Sequence, residues 1–494
     1  MTMMFDIDGK GRAVVKGDEF NRLREKFSVE NEAAKFGRFR GKFMPYRKYI
    51  ITPAGKFDVG MYFEFKKYLN SVYDNLKVIK SEQFKQVLYP RIDESVKIPE
   101  LRLKLRDYQH DIVTRCNRVG RGVVVLATAG GKTLTMANLI QGNYNHSKDK
   151  LDFRCVVIVP DLGLVNQTYS DFRDYGVSFT YSKWTGNHDL NLTTNVIICN
   201  MGILQSKKTD VSFLKVMDMV VVDEVHKLRS GNKINAIFKI IETNNRYGFT
   251  GTMPEKLEDQ WNIIGKIGPV LYEKNSYQLR EEDYIAPAQV CVIKILYDNE
   301  RQYMYNGVDF DPTAKYRHEL TTLQQSTYRN NVISKVCGNF DNNSLLLVDY
   351  IDHGQLLYNT LKIKLKDKEV YFIRGEVEVS ERDRIKKLME GNNNIVCIAI
   401  SKIFSTGINI KNLHYIMFCA GGKAKVKIIQ SIGRGLRQHR SKTQLTIVDI
   451  ADQLHYGKQH MQKRLKLYEQ EKFEYKFVTL RCSESKHNLK NHEK

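Results

Sequence analysis

Nine short runs of apolar, largely β-branched residues, grouped in two sets, limit what this chain can fold into more than any other feature. The first set lies at 123–126, 155–159, 196–199 and 219–222; the second lies at 345–348, 370–373, 395–400, 415–419 and 445–448. Each run has the length of a strand, and polar stretches long enough for a helix separate most of them. A strand that is apolar on both faces has to be covered on both faces, which is the pattern of a parallel sheet flanked by helices. The chain therefore reads as α/β, with two parallel-sheet domains in tandem. The first spans 96–275 and the second 341–455. A small, basic, aromatic-rich α+β domain precedes them at 1–95. A bridge at 276–340 carries Tyr284, Ile285, Ala286 and Pro287 and a helix near 313–338, and a short helical tail closes the chain at 456–494.

Charge narrows the partner. The 494 residues carry 78 Lys+Arg against 56 Asp+Glu, a net charge of +22. Such a balance points to a polyanion, with a nucleic-acid backbone ahead of an anionic membrane surface. No apolar run approaches the ~18 residues needed to span a bilayer. The N-terminus has early acids and no signal-peptide core. Eight cysteines are scattered without a CxxC pair, as expected of buried thiols in a reducing compartment. A soluble, cytoplasmic, monomeric protein is expected.

The run at 123–126 leads into Ala127-Thr128-Ala129-Gly130-Gly131-Lys132-Thr133, and a helical pattern follows from Leu134. Strand, small-residue loop, Lys-Thr and helix form the context of a phosphate-binding loop. Small residues let backbone N–H groups approach phosphate oxygens, and the helix N-terminus adds partial positive charge. Lys132 would reach the β- and γ-phosphates of ATP, and the Thr133 hydroxyl would ligate Mg²⁺. The run at 219–222 ends in Asp223-Glu224-Val225-His226. Strand ends of open α/β sheets face the ligand crevice. Asp223 is placed to hold Mg²⁺ and Glu224 to orient and deprotonate the attacking water. In the second set, Arg434 and Arg437 stand three residues apart, on one face of a helix-like segment. Guanidinium groups there suit the spread charge of a phosphoryl transition state. From Gly391 to Val448 there is no Asp or Glu, but there are nine Lys and Arg, including Lys402, Lys411 and Lys442. A stretch of one sign suggests a surface that faces polyanions.

Near the N-terminus, residues 35–49 interleave Arg38, Arg40, Lys42, Arg47 and Lys48 with aromatics that include Phe43, and no acid occurs from Ala33 to Phe57. Basic groups can hold backbone phosphates while rings stack on unpaired bases, at ~1–3 kcal/mol per base. This strip is the candidate DNA contact, although a domain of this size also needs aromatics for its core.

Taken together, these motifs resemble those of superfamily-two helicases, over about Leu105 to Ala451. Leu105-Arg106-Asp107-Tyr108-Gln109 resembles the motif ahead of the phosphate loop, and the resemblance implies that Gln109 recognises adenine. Residues 157–160 with 164–167 resemble a DNA-backbone contact motif. Asp223 to His226 match the Mg²⁺ and water-activating box, with His226 coupling hydrolysis to movement. Thr250-Gly251-Thr252 resembles the linking motif, which gives Thr250 and Thr252 a coupling role. Residues 404–409 resemble the fifth motif, bringing Gly407 and Asn409 to the nucleotide. Gln430 to Arg437 resemble the sixth, with Gln430 coupling and Arg434 and Arg437 as arginine fingers. Two RecA-like domains are implied.

Within the superfamily, 374–377, 404–407, 411–414, 430–439 and 441–443 resemble the tailed-phage UvsW-type helicases, which remodel forks and Holliday junctions. That likeness implies branched or forked DNA as partner, ATP and Mg²⁺ as cofactors, and the host cytoplasm as location. The sequence departs from the family at Ala129, where Gly is usual, and at Asn409, where an acid is common. Ser431 and the DEVH box weaken the alternative of an RNA helicase. A duplex-tracking translocase that leaves the strands paired remains the other alternative.

Overall fold

The apolar runs do form parallel sheets, because only strand pairing satisfies their backbone groups while both faces are buried. The computed structural model describes residues 1–32, 34, 45–89, 96–206, 209–298, 300, 312–374, 379–401, 410–420, 432, 433, 435, 436, 439 and 442–482. Two compact units make up the chain: Met1–Ala127 with Gly131–Lys274, and Asn275–Lys494 with Thr128–Gly130.

The first unit opens with the small N-terminal domain. Its strands are β1 (Thr2–Ile7), β2 (Ala13–Gly17), β3 (Ser28–Glu30), β4 (Arg47–Tyr49), β5 (Lys56–Phe57) and β6 (Lys77–Lys80). The sheet order is β5-β2-β1-β6, with β1 antiparallel to β2 and parallel to β6, while β3 and β4 form a separate antiparallel ribbon. Phe5, Phe57, Tyr62, Phe65 and Phe84 fill the core, and the Phe5 and Tyr62 rings meet edge-on at 4.9 Å. Many of the domain's aromatics are thus spent on packing, as its size requires.

The larger sheet of this unit holds β7 (Arg121–Leu126), β8 (Cys155–Val159), β9 (Tyr181–Trp184), β10 (Val196–Asn200), β11 (Met219–Asp223), β12 (Arg246–Thr250) and β13 (Val270–Lys274). All are parallel, in the order β13-β7-β12-β11-β8-β10-β9. Every residue of β7, β8, β11 and β12 is buried. Each buried Val, Ile or Leu contributes roughly 1.5–3 kcal/mol.

The second unit repeats the design. Its strands are β14 (Ala288–Tyr297), β15 (Ser344–Val348), β16 (Glu369–Ile373), β17 (Ile395–Ile400), β18 (Tyr415–Phe418), β19 (Leu445–Asp452) and β20 (Glu474–Cys482), all parallel, in the order β16-β17-β15-β18-β19-β14-β20. The expected helix near 313–338 is two helices, Pro312–Gln325 and Thr327–Gly338, divided where Ser326 caps the second one. Two strands come from stretches read as bridge and tail. Strand β14 pairs with β19, and β20 follows the expected tail helix, His455–Gln470, and pairs with β14.

Two buried arginine–carboxylate pairs fasten helices to β19. Arg464 donates Nε and Nη2 to Asp449 at 2.8 Å each, and the Tyr468 hydroxyl donates to the same carboxylate at 2.9 Å. Arg329 donates Nε to Asp452 at 2.9 Å and Nη2 to the Cys419 carbonyl at 2.7 Å. Replacing Asp449 by alanine leaves the buried Arg464 charge without its partner. The expected cost is about 3–5 kcal/mol, read as a lower urea midpoint for the transition of this unit.

No disulfide joins any of the eight cysteines. None of the described helices is long and apolar enough to cross a membrane.

Candidate nucleotide-binding site

Three strands that are neighbours in the first sheet deliver the predicted residues to one edge. In the order β7-β12-β11, all parallel, Thr250 pairs with Val125 and Asp223 pairs with Phe249. The C-terminal ends of the three strands therefore carry the phosphate loop, Thr250 and the Asp223-Glu224 box side by side, where open α/β sheets bind ligands.

After β7 the backbone adopts left-handed dihedrals at Ala129 (φ 69°) and Gly131 (φ 79°), and the helix Lys132–His146 starts at once. A left-handed residue before a helix turns successive N–H groups inward as an anion cradle. Glycine takes that conformation freely, whereas an alanine is strained there, so Ala129 departs from the family at a position where the departure costs energy. Gly131 has a second constraint: a Cβ there would lie 2.3 Å from Gln109 Nε2.

Gln109 is buried on the helix Asp107–Val119. It donates Nε2 to the Gly131 carbonyl at 3.3 Å and accepts the Arg106 backbone N–H at Oε1, 2.9 Å. It braces the loop, a function the motif did not reveal. The Thr135 hydroxyl, also missed, donates to the same carbonyl at 3.1 Å. Lys132 Nζ donates to the Leu126 carbonyl at 3.4 Å, a long bond that an anion could displace.

Asp223 ends β11 almost fully buried, and its Oδ1 accepts the Glu224 backbone N–H at 2.8 Å. Burial first, and then the Glu224 carboxylate, raise Asp223 above the ordinary carboxylate range, with Lys132 opposing them. An acid in that position is suited to a cation. The backbone turns left-handed at Glu224 (φ 49°), which lets a short 3₁₀ turn, Val225–Lys227, bring His226 back under it. His226 Nδ1 lies 3.2 Å from Glu224 Oε2 and 2.9 Å from Thr250 Oγ1. The Thr250 hydroxyl in turn donates to the Thr252 carbonyl at 2.9 Å. His226 Nε2 is buried without a hydrogen-bond partner among the described residues, a state that calls for an explanation and often marks function. Among the described residues, no group of three or more His, Cys, Asp and Glu could hold a metal by itself. A cation here would rest on Asp223, hydroxyls and phosphate oxygens.

Comparison with known proteins adds the family. The family model described as "Type III restriction enzyme, res subunit" matches residues 102–255, and the one described as "Helicase conserved C-terminal domain" matches 329–439. The first match carries Gln109, the phosphate loop, the Asp223-Glu224 box and Thr250. The second covers strands β15 to β18 and the Arg434 segment.

The chain belongs to the superfamily-two helicases.

Among curated proteins, this helicase is 26% identical over 495 residues to "ATP-dependent DNA helicase uvsW" of Enterobacteria phage T4, with 93% of this chain and 95% of that protein covered. It is 24% identical to "DNA 3'-5' helicase XPB" of Kineococcus radiotolerans, with 71% of this chain and 61% of that protein covered. The fragment structure of an HsdR subunit of a type I restriction enzyme from Vibrio vulnificus YJ016 shares the fold. Its TM-score is 0.57 at 17% identity, covering 80% of this chain and 72% of that one. The helicase is thus an ATP-dependent DNA helicase or translocase built on two RecA-like sheets.

Several predicted residues of the helicase lie outside those described: Gly407, Asn409, Gln430, Arg434 and Arg437 in the second unit, and Arg38, Arg40, Lys42 and Phe43 in the first. Next to Arg434, Ile432 and Leu436 are buried, and the Leu436 carbonyl accepts the Ala286 N–H at 2.7 Å. Of the basic residues in the acid-free stretch, Lys442 does not face solvent. It is buried and donates Nζ to the Gly435 carbonyl at 2.7 Å and the Lys411 carbonyl at 3.2 Å.

In the N-terminal strip, Arg47 donates Nε to the Ser28 hydroxyl at 2.9 Å, and Lys48 donates to Glu258 at 3.0 Å. Both are engaged within the protein.

Proposed function

We propose that this helicase hydrolyses ATP at the C-terminal edge of β7, β12 and β11 and spends the energy on unwinding or remodelling branched DNA. Forks and four-way junctions met in replication, recombination and repair are its substrates, and it works as a monomer in the host cytoplasm. The observation that supports this most is the convergence of Lys132, Asp223, Glu224 and the His226–Thr250 pair on one sheet edge. The branched-DNA choice is supported by the UvsW-type phrases around 374–377 and 404–414.

In this assignment, backbone N–H groups of Thr128, Ala129, Gly130 and Gly131 cradle the phosphates and Lys132 reaches the β- and γ-oxygens. Asp223 and Thr133 would hold Mg²⁺, which when bound neutralises phosphate charge. Glu224 orients the attacking water and accepts its proton. Gln109 braces the loop next to the adenine it recognises. His226 hears the state of Glu224 through a 3.2 Å contact and passes it to Thr250 and Thr252. Gln430, Gly407, Asn409, Arg434 and Arg437 keep the nucleotide and coupling roles that their motifs imply. Arg38, Arg40, Lys42, Phe43, Arg47 and Lys48 contact DNA.

Steady-state ATP hydrolysis with and without a forked DNA tests this. The rate is expected to rise severalfold with the fork, and a rate indifferent to DNA would contradict it. The match of 102–255 to a restriction-enzyme motor model favours one second reading, translocation along duplex without strand separation. Displacement of a triplex strand without release of a duplex strand would select it.

A further inference from the structure

The helix Leu257–Lys266 joins two parts of the first unit that the motifs treat separately. One side of it is fastened to the loop that follows the Asp223-Glu224-Val225-His226 box. Glu258 Oε1 accepts the Ser230 hydroxyl at 2.6 Å, and Asp259 Oδ1 accepts the Ser230 backbone N–H at 2.8 Å. Asn262 Nδ2 donates to the Leu228 carbonyl at 2.7 Å and to Asn235 Oδ1 at 3.0 Å. The other side is built into the N-terminal domain. Ile264 belongs to that domain's core, and the Trp261 ring lies 5.3 Å from Phe27. Gly60 packs so closely that a Cβ would come within 1.9 Å of the Ile264 carbonyl oxygen. Lys266 donates to Asp58 at 2.9 Å. The helix begins shortly after Thr252, and Met253, in the connection, packs against both cores.

Glu258 is the point where the two sides meet. The oxygen that accepts from Ser230 also accepts from Lys48 of β4, at 3.0 Å. Burial alone would raise Glu258, but hydrogen bonds from Ser230 and Lys48 outweigh it and hold the group below the ordinary range, as a carboxylate. The two bonds differ in exposure. Lys48 is about half exposed, with 46% of its side-chain surface accessible, so its ion pair is weak and a DNA phosphate can replace the carboxylate. The Ser230 bond is part-buried and stays.

We infer that Glu258 is a positioning residue through which DNA held by the N-terminal domain sets the hydrolysis rate. This rests on the DNA-motor reading above. With no DNA, Lys48 and Ser230 share one carboxylate, which ties the loop after His226 to the N-terminal domain. When a phosphate draws Lys48 away, Glu258 answers to Ser230 alone, and the loop after Glu224 and His226, still held to the helix, shifts to its active setting. The helix is a physical connection of packed side chains and hydrogen bonds, and its two arrangements differ in the Lys48 partner.

The test uses the full chain and a forked DNA oligonucleotide, with three readouts: ATP turnover without DNA, turnover at saturating DNA, and DNA affinity by fluorescence anisotropy. Glu258→Gln keeps an acceptor for Ser230 but drops the charge that Lys48 holds, and Ser230→Ala cuts the other arm. Each is expected to lower the ratio of DNA-stimulated to DNA-free turnover by about threefold or more, with DNA bound at least as tightly as by the wild type. Ser230→Thr is expected to restore the ratio. A purely structural role would lower both rates together and leave the ratio alone. Wild-type ratios in both variants, with DNA bound, would overturn the inference. A wild-type chain that ignores DNA altogether would instead overturn the function it rests on.

Discussion

Replacing Glu224 by glutamine is expected to lower ATP turnover about 10²- to 10⁴-fold, the usual contribution of a positioned general base, while ATP binding is retained. The geometry explains why the loss should fall on chemistry. Glu224 sits in a left-handed turn at the end of β11, and its Oε2 lies 3.2 Å from His226 Nδ1. Glutamine has nearly the same shape and keeps that close contact, but it cannot take a proton from water. Asp223 and Lys132 are untouched, so the triphosphate keeps its grip. Single-turnover hydrolysis, alongside equilibrium binding of a fluorescent ATP analogue, separates the two effects. Turnover at the wild-type rate would refute the assignment of Glu224. Loss of binding with loss of turnover would show that Glu224 grips the nucleotide.

Lys132→Ala should impair both binding and turnover, with turnover falling about 10²- to 10³-fold, the scale of losing one preorganised charge donor. Lys132 begins its helix, and its Nζ rests on the Leu126 carbonyl at 3.4 Å, within easy reach of a phosphate. Together with the Glu224 backbone N–H, it also opposes the raising of Asp223 by burial and by the Glu224 carboxylate. Without it, the two neighbouring carboxylates repel each other unrelieved, and the site becomes poorer for a triphosphate. Steady-state hydrolysis across ATP concentrations is expected to show a lower kcat and a higher KM. An unchanged kcat with only a raised KM would reduce Lys132 to a binding residue.

The large sheets and the phosphate site were legible because their signals are local. Most strands buried on both faces announce themselves as short apolar runs, and Lys132, Asp223 and His226 follow the ends of two such runs. Thr250 instead ends β12, which is buried throughout but has Arg, Tyr and Gly in place of an apolar run, and it was found only through the resemblance. Strands β14 and β20 were less legible, for a physical reason. The partner of β14 is β19, more than 150 residues later, and β20 lies at the sheet edge with mostly exposed residues, so no continuous apolar run marks it. Side-chain braces were illegible as well. Nothing in a Gln, a Ser or a Glu tells whether it holds a ligand or a neighbouring carbonyl, and Gln109, Ser230 and Glu258 declare themselves only through their partners. Lys442 shows the converse error: one sign of charge along a stretch does not guarantee solvent exposure, since two backbone carbonyls can hold an ammonium inside.

Strand release from a labelled forked DNA duplex, with ATP and with a non-hydrolysable analogue, and a matched RNA duplex alongside, tests the central claim most directly. A motor of the kind described here releases the DNA strand with ATP only and leaves the RNA duplex intact. Equal release with either nucleotide, or none with ATP when a triplex strand also stays in place, would contradict it.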